Sequence, residues 1–221
     1  MGTLLIEGKT LFPRARKEAE PPGPALMIDR ILSLAAESGV ASSLAILEID
    51  DAWTLRNESR ANGLQRVLKT LAGLLHKQTP AELLFDRWGP AGFLCVHPGA
   101  TLAKTLGLLE KLQCLLYGEI KKTSPGKPVT FSAGLAGFPE HGSTRVELLR
   151  RAEEALYVAQ TVGKGTIQFP PDEELKDIKV ALSLVQVHRL SHQAEREGTD
   201  AEKLIREAVD EFLRRSQRGE A

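Results

Sequence analysis

Apolar positions along the chain follow two alternating rhythms. Residues 25–38, ALMIDRILSLAAES, place Leu26, Ile28, Ile31, Leu32 and Leu34 at helical spacing and stop at Gly39, a common helix ending. Residues 43–49, SLAILEI, form a nearly unbroken apolar run that reaches Glu48, Asp50 and Asp51, as a strand covered on both faces does. Leu64, Val67, Leu68, Leu71, Leu74 and Leu75 return to the helical interval. ELLFDRWGPAGFLCVHP then predicts two strands around a turn of Gly89, Pro90, Ala91 and Gly92. From Thr101 a long amphipathic helix follows, then a loop, KKTSPGKP, and a strand over 129–138. Thr144 and Glu147 have capping-box spacing ahead of a helix that closes at Gly163, and IQFPP supplies a last short strand. Alternating strands and helices predict an α/β (α+β) domain, a sheet with helices packed on it.

The ends read differently. Residues 1–24, with the basic stretch FPRARKEAE and then PPGP, predict an arm or linker. The boundaries expected are 25–170 for the main domain, 171–175 for a linker and 176–218 for a small C-terminal unit. There Ile178, Val180 and Leu182 alternate with Lys179, Ala181 and Ser183, the period of a half-buried strand. VHRLSHQAEREGTDAEKLIREAVDEFLRRSQ predicts two helices broken at Gly198, with Asp200 as N-cap of the second.

Composition narrows the function classes. Lys plus Arg and Asp plus Glu number 29 each, so no global charge argues for nucleic acid or an anionic membrane. Apolar residues at 42% and charged residues at 26% suit a soluble domain with a real core. Glu7 and Lys9 interrupt what a signal peptide would need, and no apolar run approaches the length of a membrane span; the expected location is the cytoplasm. Cys95 and Cys114 lie far apart and read as buried free thiols. His76, His97 and His141 have no ligand-spaced partners, so no metal is expected. Glu48, Asp50 and Asp51 read as solvated acids at a strand end, and Trp53 and Trp88 as core, the alternative being an exposed aromatic pair.

Two blocks carry a family resemblance: VTFSAGLAGFPEHGSTRVELLRRAEEALYVAQTVGKGTIQF, residues 129–169, and the strand–turn–strand around RWGPAGF. They resemble the GGDEF domain of diguanylate cyclases, which condense two GTP molecules into cyclic di-GMP. The match includes the SxGxA strand and the helix ending around Ala155-Leu156-Tyr157 and Gly163, and LAILEIDDAW is similar to the family's first strand. Over roughly residues 25–170 the resemblance implies the βααββαβ order of a palm-like nucleotidyl cyclase fold. It also implies what has been lost. The five hairpin positions are Gly89, Pro90, Ala91, Gly92 and Phe93, with Ala91 and Gly92 in place of both carboxylates. Glu48 stands at the first-strand metal Asp, Ala52-Trp53 at the FK dipeptide, Arg56 and Gln65 at the guanine-reading Asn and Asp, and Gln160 at a phosphate Lys. Glu48, Asp50 and Lys164 are the weak remnants of a nucleotide site. Two-metal phosphoryl transfer needs carboxylates to hold its cations, so the expectation is no enzyme and no cofactor. Pro80, Ala81, Glu82 and Leu83 replace the RxxD product site, which implies no cyclic di-GMP there.

AEREGTDAEKLIREAVDEFLRR resembles the helical half of the ribbon-helix-helix fold, which implies an obligate dimer or docking on the main domain; a homodimer through 176–218 is the expectation. On that match the DNA-facing residues are Asp177, Lys179 and Ala181, with Arg214, Arg215 and Arg218 as a further patch. From Asp172 onward nine Lys/Arg stand against twelve Asp/Glu, a net −3, poorly matched to a duplex. The reading is a non-catalytic regulatory or scaffold protein of bacterial signalling that pairs with itself and with an unidentified signalling protein. The alternative is a ribbon-helix-helix DNA-binding regulator with Lys179, Arg214 and Arg215 in contact with DNA. A third class, an enzyme acting on another nucleotide, is kept for Glu48, Asp50 and Lys164.

Overall fold

A computed structural model describes residues 4–6, 9–12, 28–29, 31–33, 35, 37, 39–58, 63–123, 128–172 and 178–218. Two compact units result, Met1–Pro171 and Asp172–Ala221. The expected N-terminal arm contains a small antiparallel pair, β1 (Leu4–Ile6) with β2 (Lys9–Phe12). The main sheet has five strands: β3 (Ser42–Ile49), β4 (Leu84–Trp88), β5 (Gly92–His97), β6 (Phe131–Phe138) and β7 (Ile167–Gln168), in the order β4-β5-β3-β6-β7. All neighbours are antiparallel except β6 and β7, and Glu48 stands opposite Gly92 on one side and Ser132 on the other. The helices are α1 (Ala52–Glu58), α2 (Gly63–Gln78), α3 (Leu102–Thr123) and α4 (Arg145–Val162). From β3 to β6 the succession is the expected βααββαβ, which α4 and β7 extend.

The continuous apolar runs are explained by a sheet covered on both faces. Ala45, Leu47, Phe93, Cys95, Phe131 and Leu135 point to the layer of α2 and α3, with Leu68, Leu71, Leu75, Leu109, Leu112 and Leu116. Leu44, Ile46, Leu94, Val96 and Ala136 point to the other layer, with Ile28, Ile31, Leu148, Ala152 and Leu156. The SxGxA strand has a physical reason in the latter. A β-carbon on Gly134 would lie 2.0 Å from the Ala152 carbonyl oxygen and 2.3 Å from the Leu156 nitrogen, so only glycine lets the α4 backbone rest on β6. The Thr144–Glu147 capping box is present and starts α4. Of the sequence-expected helix 25–38, Ile28, Asp29, Ile31–Ser33, Ala35 and Glu37 are described and helical.

The second unit consists of α5 (Leu184–Glu197) and α6 (Ala201–Arg218). Ser183 and Gln186 form the capping box of α5, Gly198 closes it in the left-handed conformation, and Asp200 Oδ1 accepts from the Lys203 amide at 2.6 Å. The expected strand over Ile178, Lys179, Val180, Ala181 and Leu182 is corrected: residues 178–183 belong to no strand among the described residues. Its alternation is a pattern for pairing, and this chain alone places no strand beside it.

Candidate functional site

The hairpin turn comprises Gly89, Pro90 and Ala91, with Trp88 paired to Gly92 across its base and Gly89 at φ 59°. None of its residues carries an acid. Ala91 is only 3% exposed and packs with the α2–α3 core, and its carbonyl accepts from the Ile49 amide at 3.0 Å. Gly92 is buried, and Phe93 lies under the Arg87 guanidinium, 5.0 Å from its ring centre. Arg87 Nη2 donates to the Pro90 carbonyl at 2.9 Å and the Gly89 carbonyl at 3.4 Å. Partial burial lowers the Arg87 pKa, with Asp86 opposing the shift. The Arg87 amide donates to Asp86 Oδ1 at 2.7 Å. Sequence reasoning missed this bracket; an arginine two residues before a Gly-Pro turn is its only signal.

The three remnants lie where β3 passes into α1 and meets the end of α4, and each is bonded within the chain. Glu48 Oε2 accepts from Gln160 Nε2 at 3.0 Å. Lys164 Nζ meets Asp51 Oδ2 at 2.6 Å, an exposed pair. Asp51 adopts φ 54°, a left-handed conformation Asp tolerates better than most residues, and its carbonyl accepts from the Leu55 amide in the first turn of α1. Asp50 is the junction. Its carboxylate accepts from Thr130 Oγ1 at 2.6 Å, Ser132 Oγ at 2.7 Å and the Gly165 amide at 2.9 Å. That corrects its reading as a solvated loop acid. No group of three or more His, Cys, Asp or Glu suited to a metal ion occurs among the described residues.

Around this junction Arg56 and Gln65 are exposed. Trp53 is 78% exposed, which corrects its reading as core, whereas Trp88 packs against the α4 layer. At the opposite end of β3, His97 Nδ1 lies 2.9 Å from Thr105 Oγ1, which lies 2.6 Å from Ser43 Oγ, all three buried. Desolvation lowers the His97 pKa to about 4; Lys104 adds to the shift and Glu82 opposes it. His141 Nδ1 accepts from the Gly137 amide at 3.0 Å, and burial lowers its pKa too. Cys95 is buried, with its thiol pKa pushed up by desolvation, but Cys114 is exposed, a correction.

In the second unit Lys179 is exposed, and Arg215 Nε donates to Glu211 Oε1 at 2.8 Å. Arg214 belongs to α6, its side chain outside the described residues, as is Asp177. No helix among the described residues is long and apolar enough to cross a membrane.

Comparison with known proteins bears on the first unit. Residues 61–166 match the family described as diguanylate cyclase, GGDEF domain. The response regulator PleD of Caulobacter vibrioides is 25% identical over 143 residues, which is 63% of this chain and 32% of PleD. Diguanylate cyclase DgcP of Pseudomonas aeruginosa is 28% identical over 127 residues, 57% of this chain and 19% of DgcP. The chain thus spans a third or less of these relatives' lengths. The active GGEEF domain of a diguanylate cyclase from Vibrio cholerae superposes with a TM-score of 0.62 at 17% identity, covering 67% of this chain and 95% of that one. At that identity the likeness is one of fold.

Proposed function

We propose that the chain, whose residues 61–166 match the GGDEF family, is a non-catalytic regulatory or scaffold protein of bacterial signalling, acting in the cytoplasm through protein contacts. The observation that carries this reading is the hairpin: where the family places its catalytic acids, Ala91 is buried in the core and Gly92 has no side chain. Phosphoryl transfer through two metal ions requires carboxylates facing the reacting phosphates. The remaining acids support the same reading. Asp50 accepts from Thr130, Ser132 and Gly165, and Glu48 and Asp51 are bonded to Gln160 and Lys164.

The second unit supports self-association. Among its described residues only Ala194 is buried, whereas Ile178, Val180, Leu184, Val185, Val209, Phe212 and Leu213 are half or more exposed. Some fifty residues with so little interior do not hold together alone. A second copy of 176–218 supplies the missing cover, pairing 178–182 with its counterpart and packing the apolar stripe of α6.

The test uses the full chain: GTP turnover with magnesium, and sedimentation for oligomeric state. The expected results are no cyclic di-GMP formed and a dimer that Phe212→Asp dissociates. Steady turnover abolished by Glu48→Ala would sink the non-catalytic reading, and a monomer at all concentrations would sink the dimer. The DNA-reading alternative rests on exposed Lys179, since Arg215 is engaged by Glu211. Low-salt duplex binding that vanishes without 172–221 would favour that alternative.

A further inference from the structure

The hairpin has more in it than missing acids. A β-carbon built on Gly92 would stand 2.1 Å from the Leu47 carbonyl oxygen and 3.2 Å from the Trp88 carbonyl oxygen. Both obstacles are backbone, so a flexible side chain cannot swing away to make room; β5 itself would have to leave β3. One residue earlier, Ala91 turns its methyl into the α2–α3 core while its carbonyl receives the Ile49 amide. A carboxylate there would be buried without a partner in an apolar cluster. On the outer side the Arg87 guanidinium joins the carbonyls of Gly89 and Pro90 and covers the Phe93 ring. Pro90 has no amide hydrogen to offer an incoming phosphate. The turn is therefore tied to this chain through Ala91, Gly92 and Arg87, while Gly89 and Pro90 stay exposed.

We propose that the hairpin is a closed structural tie whose backbone excludes any side chain at 92 and whose apolar packing excludes an acid at 91, so that restoring the two carboxylates does not restore cyclase chemistry. The inference rests on the non-catalytic reading above, and it places the barrier in main-chain geometry as well as in side-chain identity. Arg87 is a positioning residue for the tie.

The test uses the full chain with Gly92→Ala, Ala91→Asp and the double replacement Ala91→Asp/Gly92→Glu. Melting is followed by tryptophan fluorescence, since Trp88 lies at the hairpin base, with amide exchange at Ile49 and GTP turnover with magnesium alongside. Gly92→Ala, the mildest change, is expected to lower the melting midpoint by roughly 5 °C or more and to speed exchange at Ile49. The double variant is expected to be less stable still and to form no cyclic di-GMP. A Gly92→Ala protein that melts within about 1 °C of the native chain, or a double variant that keeps the native midpoint and gains turnover, overturns the inference. Turnover by the unaltered chain would instead defeat the reading on which it rests, so the two failures are distinguishable. Should the double variant not fold, the Gly92→Ala comparison alone decides.

Discussion

Replacing Asp50 by alanine removes one side chain and strands three donors: the hydroxyls of Thr130 and Ser132 and the Gly165 amide. These donors belong to the start of β6 and the loop before β7, so the carboxylate joins three chain segments far apart in sequence. A hydrogen bond to a charged acceptor contributes about 1.5–3 kcal/mol, and the site is partly open to water. The expected loss is therefore about 3–5 kcal/mol rather than the full sum of three such bonds. At about 2–4 °C per kcal/mol for a domain of this size, the melting midpoint should fall by roughly 6–20 °C. Asp50→Asn supplies the contrast. An amide oxygen at the Oδ2 place still receives Thr130 and Gly165, while its NH₂ donates to the Ser132 hydroxyl, which can reverse its role. That variant should lose only about 1 kcal/mol. Denaturant titration of the native chain and both variants measures the series, repeated with magnesium chloride against sodium chloride at equal ionic strength. If Asp50→Ala costs under about 1 kcal/mol, the junction does not stabilise the fold. If magnesium specifically stabilises the native chain and Asp50→Asn abolishes the effect, the carboxylate is a cation ligand and the structural account fails.

The remaining expectations are simpler. His97 is buried, with its pKa lowered to about 4 in the folded chain, against about 6.5 unfolded. Its contribution is fully present above about pH 6.5 and is lost as pH falls toward about 4, with about 2 kcal/mol gone by pH 5; His97→Gln should flatten the difference in denaturant midpoints between pH 7.5 and pH 5, and an unchanged acid limb would refute the assignment. Gly134→Ala drives a β-carbon into the α4 backbone and should cost more than about 3 kcal/mol; a soluble variant with the native midpoint would show that α4 does not rest there. Thiol titration of the native chain should modify exposed Cys114 quickly and buried Cys95 only on unfolding, so two fast-reacting thiols would contradict the sheet placement.

What was legible in the sequence was what short range decides. Thr144 and Glu147 sit three residues apart and make their capping box by themselves, and the apolar runs of β3, β5 and β6 needed only two covered faces. Helix α1 escaped notice because seven residues with only Ala52 and Leu55 facing the core give too little periodicity. Asp50 read as a loop acid because its donors Thr130 and Ser132 lie 80 and 82 residues away. The alternation of Ile178, Val180 and Leu182 reads as a strand, but a strand needs a neighbour, and the described residues of one chain place none beside it. Cys114 lies on the outer side of α3, a position its apolar neighbours Leu112, Leu115 and Leu116 disguised.

Strand β4 is an outer strand of the main sheet, and Leu84, Phe85 and Trp88 would make it an adhesive border. Edge amides left free recruit strands from other molecules. The amide of Arg87 is already taken by the carboxylate of Asp86 beside it, and the charged side chain of Arg87 folds back over the turn. An incoming strand would have to displace a charge-assisted bond before it could form its own. Arg87, which braces the hairpin, thus also makes this stretch of the sheet border, together with Asp86, a poorer template for a foreign strand.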